Sequence, residues 1–319
     1  MSGPPPAIAP PTAPAEAKKA TLSGYVGRGG LGKSTLVNTL LASHLLDSKA
    51  SKKASDPPRK TTEIQNISHV LEENGVKLKV TITDTPGYGD QVNNENCWEP
   101  IVKFIKDQYA TYLRRELTPN REKRIPDTRV HVVLFFIEPT GLGLKALDVT
   151  VLQKLSEIAN VVPVIAKSDS LTLEERSAFK KRIRQEIEFH GIRCYPLPDA
   201  DDEPVLTDQD KAERAQAQQM RDMIPFSVVG SERNIVVDGK AVRGRRTKWG
   251  MINVEDQSHC EFVPLRAFLL RTHLQDLIET TGLLHYEAFR TRQLLALKES
   301  SAPSKVPGDV SRDPSVRNM

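Results

Sequence analysis

This 319-residue sequence has few cysteines, little net charge and no long apolar run. Its three cysteines are odd in number and far apart, which excludes a disulfide scaffold and a Cys/His zinc site and is typical of a reducing compartment. Lysine and arginine total 45 against 41 acidic residues, and this net charge of +4 excludes a polybasic nucleic-acid binder. The longest apolar run, Val130–Ile137, is far shorter than the ~20 residues of a membrane helix.

Short apolar runs alternate with helical patterns along the body of the chain. Three continuous runs predict strands buried on both faces: Val130–Ile137, Val161–Ala166 and Pro225–Val229. A further strand is predicted over Leu78–Thr83, where apolar and polar residues alternate. Strands separated by helices favour an α/β fold with a doubly wound, mostly parallel sheet. The segment Thr21–Val26 (TLSGYV) departs from this pattern, because its composition is that of a poor strand.

The segment Gly27–Ser34 (GRGGLGKS) fits the phosphate-binding pattern GxxxxGK[ST]. Its glycines allow successive backbone N–H groups to turn inward around phosphate oxygens, and the helix that follows directs its N-terminus at the phosphates. Lys33 supplies positive charge to the β- and γ-phosphates, and the Ser34 hydroxyl suits Mg²⁺. The alternative is a glycine-rich loop without a ligand. The predicted nucleotide contacts are Gly27, Arg28, Gly29, Gly30, Leu31, Gly32, Lys33, Ser34 and Thr35.

Two further segments select the nucleotide. Asp84, in Asp-Thr-Pro-Gly after a predicted strand, can hold a Mg²⁺ water, and the Gly87 N–H can reach a γ-phosphate. Asp169 follows another strand, and a carboxylate there accepts from both N1–H and N2–H of guanine, whereas adenine has an acceptor at N1. The stem of Lys167 can cover the base. Because ligands lie outside the carboxyl ends of such sheets, these motifs in this order predict GTP or GDP with Mg²⁺ as cofactors.

Lys33 and Thr61 are the candidate catalytic residues. Thr61 lies in the polar stretch between the first predicted helix and the second strand, where it is either a switch threonine for Mg²⁺ and γ-phosphate or an ordinary loop threonine. Tyr88, and not a water-positioning glutamine, directly follows Gly87. We therefore expect slow hydrolysis, with an intrinsic kcat well below ~1 s⁻¹.

With these residues placed, the sequence from Gly27 to Leu297 resembles a septin. Several segments beyond the nucleotide motifs carry the resemblance: DTPGYGD (84–90), AKSDSLT (166–172), IPFSVVGS (224–231), RGR (243–245) leading to WG (249–250), RTHLQDL (271–277) and HYE (285–287). The segment NVED (253–256), together with a C-terminus that shows no coiled-coil pattern, is most similar to the short-tailed fungal central subunit.

The resemblance implies a P-loop NTPase fold like that of small GTPases, with a septin-type C-terminal extension. Thr61 then matches the switch threonine, Gly230 and Arg245 match positions that flank the guanine, and Trp249 lies in the nucleotide-side contact between subunits. Family members often carry a histidine where Leu142 stands here, and that histidine reaches the nucleotide of the neighbouring subunit. With leucine at this position, the resemblance does not extend to this contact. The implied partners are other septin subunits, in cytoplasmic, cytoskeletal hetero-oligomers that form filaments or a ring at membranes at the division site, with GTP partly structural.

These patterns predict four parts of the chain. Residues 1–19 are a disordered Pro-rich tail without the features of a signal peptide, and residues 300–319 are a second disordered tail. Residues 20–230 form the P-loop GTP-binding domain. Residues 231–299 form the septin-specific extension, which is continuous with that domain.

Three functions stay open on the sequence alone. We favour a filament-forming GTP-binding subunit, because the extension presents a long apolar face that needs burial. The alternatives are a switch-type GTPase and an assembly module with impaired nucleotide binding, the latter suggested by the poor strand before the P-loop. An anionic membrane surface is a further candidate partner for a basic helical patch, although we favour a solvated helix face. The patch comprises Lys180, Lys181, Arg182 and Arg184.

Overall fold

The computed structural model describes residues 18–41, 64–73, 76–85, 87–89, 93–118, 125–197, 215, 218–237 and 239–301. Thr61 lies outside these residues, as do both predicted tails except for their inner ends. Within the described residues, no helix has the length and apolar character needed to cross a membrane.

A six-stranded sheet forms the centre of the molecule. Its strands are β1 (Lys18–Gly27), β2 (Gln65–Glu73), β3 (Val76–Asp84), β4 (Val132–Ile137), β5 (Val161–Ile165) and β6 (Phe226–Ser227). They lie in the order β2-β3-β1-β4-β5-β6, with β2 antiparallel to β3 and all other pairs parallel. β4 and β5 are buried along their whole length, as their continuous apolar sequences predict. β6 is much shorter than its apolar run suggested.

Helices cover both faces of this sheet. They are α1 (Lys33–Leu41), α2 (Glu99–Leu117), α3 (Ala146–Ser156) and α4 (Leu173–Phe189). Successive residues of β4 divide between two apolar clusters, one shared with α1 and the other with α2, α3 and α4. The doubly wound α/β architecture predicted from the sequence is therefore confirmed.

The expectation of a poor first strand is wrong. β1 runs for ten residues in the interior of the sheet and pairs in parallel with β3 and β4. Gly24 has φ +64°, and the register of both ladders shifts beside it, so that the chain forms a bulge at this point. Because two neighbouring strands supply the ladder hydrogen bonds, tertiary pairing overrides the weak local preference.

The C-terminal part of the chain adds a second sheet and a helical segment. The antiparallel strands are β7 (Asn234–Val237), β8 (Lys240–Thr247) and β9 (Gly250–Asn253). The helices are α5 (Phe262–Ala267), α6 (Leu274–Thr280) and α7 (Glu287–Ser301), connected by π-helical turns at Phe268–Thr272 and Thr281–Tyr286. Val254, Phe262, Leu265 and Phe268 are buried in the same apolar cluster as α1. This part of the chain therefore shares its core with the central sheet.

Candidate nucleotide-binding site

The loop from β1 to α1 has the backbone that a phosphate cradle requires. Gly30 and Gly32 have φ of +78° and +85°, and a Cβ added to either would meet no described atom within 4 Å. Their backbone conformation therefore calls for glycine, while the space beside them is open. Gly27 is needed for packing, since a Cβ there would lie 2.7 Å from the Cβ of Phe136 on β4.

Lys33 lies buried inside this loop. Its Nζ donates to the carbonyl oxygens of Gly27 and Arg28, both at 2.8 Å, which brings the ammonium group across the mouth of the loop. Ser34 and Thr35 follow in the first turn of α1 and are half-buried. Helical hydrogen bonding begins at once, because Leu36 N–H donates to the Gly32 carbonyl at 2.9 Å.

The remaining loop side chains point elsewhere. Leu31 is buried in the apolar cluster shared with α1, so that only its backbone can meet a phosphate. The Arg28 guanidinium lies 3.8 Å from the carboxylate of Asp148 on α3, and Gly29 is exposed. The predicted nucleotide contact of Leu31 is thus limited to its main-chain atoms.

Asp84 ends β3 beside the loop. Its carboxylate is buried, and burial raises its pKa while the nearby charge of Lys33 opposes the increase. The next residue, Thr85, donates its hydroxyl to the Tyr25 carbonyl at 2.6 Å, which ties the end of β3 to β1. Asp84 and Ser34 are oxygen donors of the type that Mg²⁺ takes together with phosphates and water.

Gly87 is half-buried and precedes an anchored tyrosine. Tyr88 donates its hydroxyl to Asp148 at 2.8 Å and stacks on Phe135 with ring centroids 5.8 Å apart. Burial and the neighbouring Asp148 carboxylate raise the pKa of Tyr88, so that it stays a hydrogen-bond donor. Asp148 was not predicted as part of the site, because an acidic residue in a helix is not by itself a signal of function.

The predicted base-recognition segment, Lys167–Asp169, follows β5 at the same edge of the sheet. Lys167 has the left-handed backbone conformation, with φ +46°, and its side chain is exposed. Asp169 lies in the 3₁₀ turn Ser168–Ser170, and its carboxylate is only 10% exposed. Its Oδ2 accepts a hydrogen bond from Arg245 of β8, while its buried Oδ1 has no partner among the described residues. An unpaired buried acceptor is costly unless a ligand supplies the donor.

Gly230 connects the base-recognition segment to the P-loop helix. A Cβ at Gly230 would lie 3.0 Å from the Leu36 nitrogen, so the two backbones are in direct contact. The next residue, Ser231, donates its backbone N–H to the Thr39 hydroxyl oxygen at 3.1 Å and its own hydroxyl to the Gly244 carbonyl at 2.6 Å. The structure thus brings the P-loop, Asp84, Asp169, Gly230 and Arg245 to one edge of the sheet.

Comparison with known proteins identifies the family of this chain. The family model for septins matches residues 22–303. The chain belongs to the septin family. "Septin homolog spn2" of Schizosaccharomyces pombe is 57% identical over 87% of this septin and 82% of its own length. "Cell division control protein 10" of Candida albicans is 56% identical, over 90% and 79%, and "Neuronal-specific septin-3" of Bos taurus is 51% identical, over 84% and 73%. The predicted likeness to fungal central subunits is thereby confirmed.

A solved structure agrees with the fold. The septin GTPase domain from Chlamydomonas reinhardtii superposes with a TM-score of 0.61 at 23% identity, covering 86% of this septin and all of that chain. At this identity the likeness concerns the arrangement of the helices and strands, which it supports independently of the sequence motifs.

Proposed function

We propose that this septin is a guanine-nucleotide-binding subunit of the cytoskeleton. The observation that carries the proposal is the buried Asp169 carboxylate, which has one oxygen bound by Arg245 and the other without a partner among the described residues. Guanine offers N1–H and N2–H to such a carboxylate, whereas adenine offers an acceptor at N1. The P-loop lies at the same edge of the sheet and supplies the phosphate end of the site.

The proposed site has a distinct role for each group. Lys33 and the N–H groups of the P-loop bind the phosphates, Ser34 and Asp84 hold Mg²⁺, and Gly87 donates its N–H to the γ-phosphate. Mg²⁺, when bound, neutralises charge on the β- and γ-phosphate oxygens. Thr61, outside the described residues, is proposed as the switch threonine. Since Tyr88 replaces a water-positioning glutamine, we expect GTP to be hydrolysed slowly and to serve partly as a structural cofactor.

Assembly is the proposed output. Leu142 is 78% exposed and Trp249 is 90% exposed, so both apolar side chains are available at the surface for a contact between subunits. We infer that this septin joins other septin subunits in filaments, in the cytoplasm at the division site. The name of the Candida albicans relative refers to cell division. An anionic membrane surface stays a less favoured partner, because Lys180 of the basic patch is buried.

Nucleotide selectivity tests the site. Purified septin, stripped of nucleotide, is titrated with GDP and with ADP in the presence of Mg²⁺. We expect GDP to bind at least about 100-fold more tightly, because the two guanine N–H groups meet a carboxylate that adenine cannot satisfy. Equal affinities would contradict the proposal. Multiple GTP turnovers per second would contradict slow hydrolysis and favour a switch-type GTPase.

Sedimentation tests assembly. The septin is centrifuged at low and high salt, alone and with candidate partner septins. We expect complexes larger than one chain under at least one of these conditions. A strict monomer throughout would remove the assembly proposal while leaving nucleotide binding untouched.

A further inference from the structure

The basic patch on α4 contains a lysine that does not face solvent. Lys180 is 7% exposed, and its Nζ donates to both carboxylate oxygens of Glu261, at 2.7 and 2.9 Å. Burial lowers the pKa of Lys180, and the charge of Glu261 opposes the decrease. Its neighbour Lys181 is exposed, so that only one of these two adjacent lysines is used inside the fold.

Glu261 also binds the central sheet. It precedes α5 in the C-terminal extension, and its Oε2 accepts from the backbone N–H and the hydroxyl of Ser227, at 2.7 and 2.8 Å. Its own N–H donates to the Ser227 carbonyl at 2.7 Å. Ser227 is fully buried in β6, so these three hydrogen bonds fasten the extension to the edge strand of the sheet.

The two elements held by Glu261 flank the base-recognition segment. On one side, Ser168 N–H donates to the carbonyl of Val228 at 3.1 Å, and Val228 directly follows Ser227, which Glu261 binds. On the other side, α4 begins at Leu173, four residues after Asp169, and carries Lys180. A second contact between α4 and the extension lies one helical turn earlier, where Arg176 donates to the His259 carbonyl at 2.9 Å.

We propose that Glu261, with Lys180 as its counterion, is a positioning residue for the guanine base. By holding β6 and α4 together, the pair fixes the segment between them, and with it the direction in which Asp169 presents its carboxylate. Docking of the extension and recognition of the base are therefore coupled. This inference rests on the proposed function, because it assumes that Asp169 binds guanine.

Inosine diphosphate is the probe that tests this coupling. It keeps N1–H but lacks the 2-amino group of guanine, so GDP makes one more hydrogen bond to Asp169 than IDP does. We expect the unmodified septin to bind GDP about tenfold more tightly than IDP. If Asp169 is displaced, GDP loses two hydrogen bonds and IDP loses one, so the preference for GDP over IDP decreases.

Lys180→Met and Glu261→Gln are compared with Lys181→Met as the matched control. The first two should reduce the GDP-to-IDP preference at least about threefold, whereas the control should retain it. The double variant Lys180→Met/Glu261→Gln removes both charges of the ion pair together, a change that folded proteins often tolerate, and it keeps the test available if a single variant unfolds. In the double variant the preference should also fall, since α4 is no longer held to Glu261.

The outcomes separate two kinds of failure. If folded variants bind GDP and IDP with an unchanged ratio, however weakly, Lys180 and Glu261 have a structural role alone and the inference is overturned. If the unmodified septin does not prefer GDP over ADP, the proposed function itself fails.

Discussion

Replacement of Asp169 by asparagine tests base recognition most sharply. The substitution keeps the size of the side chain, removes the charge that pairs with Arg245, and places an amide where a carboxylate oxygen now lies buried without a partner among the described residues. The amide has one acceptor oxygen, and its NH₂ group meets the N–H groups of guanine as a second donor.

The expected loss follows from the hydrogen bonds at this carboxylate. A bond to a charged group contributes about 1.5–3 kcal/mol, and guanine makes two such bonds here. Allowing for the acceptor that asparagine retains, we expect a loss of roughly 3 kcal/mol, or about 100-fold in GDP affinity. Xanthosine diphosphate carries an oxygen in place of the 2-amino group and can accept from the new amide, so its affinity should rise relative to GDP.

Isothermal titration with GDP and with xanthosine diphosphate, at one salt and Mg²⁺ concentration, measures both effects. Glu174→Gln, which neutralises an exposed carboxylate in the first turn of α4, is the matched control and should bind GDP normally. A folded Asp169→Asn variant whose GDP affinity stays within about threefold of the unmodified septin would refute the assignment of Asp169 to the base.

Three further predictions concern the loop, the terminal helices and the exposed surface. Gly32→Ala should weaken GDP binding at least tenfold, because Gly32 has φ +85°. The control Gly191→Ala, with φ +60° and equally open space, should lose about 1–2 kcal/mol of stability without affecting binding. Equal losses of GDP affinity in the two variants would contradict the assignment of the Gly32 loop to the phosphates. Burial lowers the pKa of His285 to about 4, so the unfolded state takes up the proton first as the pH falls. The free energy of unfolding, measured with urea, should therefore fall by up to about 3 kcal/mol between about pH 6.5 and pH 4. His285→Gln should weaken this pH dependence, and an unchanged dependence would exclude His285 as its source. Trp249→Ala should abolish sedimentation as a complex without lowering the thermal midpoint, whereas Phe189→Ala, at a residue 85% exposed, should still assemble.

The parts of the fold that depend on local patterns could be predicted from the sequence. The continuous apolar runs Val130–Ile137 and Val161–Ala166 contain the buried strands β4 and β5. These features are set by residues adjacent in sequence, and periodicity reports them directly. The segment Thr21–Val26 was misjudged because its strand is stabilised by β3 and β4, which lie far away in the sequence.

The candidate site was predictable at its glycines and at Asp169 but not in its supporting contacts. Lys180 belonged to an apparent surface patch, and nothing in α4 alone indicates that Glu261, 81 residues later, would bury it. Asp148 likewise acquires its role from Tyr88 and Arg28, which approach it from two different loops. Motifs give the groups that touch a ligand, whereas the groups that position them come from tertiary packing.

The nucleotide content of the purified septin shows whether the site binds a guanine nucleotide. The protein is denatured in acid and the released nucleotides are separated and quantified against protein concentration. We expect GDP or GTP approaching one per chain, with adenine nucleotides absent. No bound nucleotide, together with no GDP binding at millimolar concentration, would contradict the assignment of the P-loop and Asp169 to a guanine nucleotide.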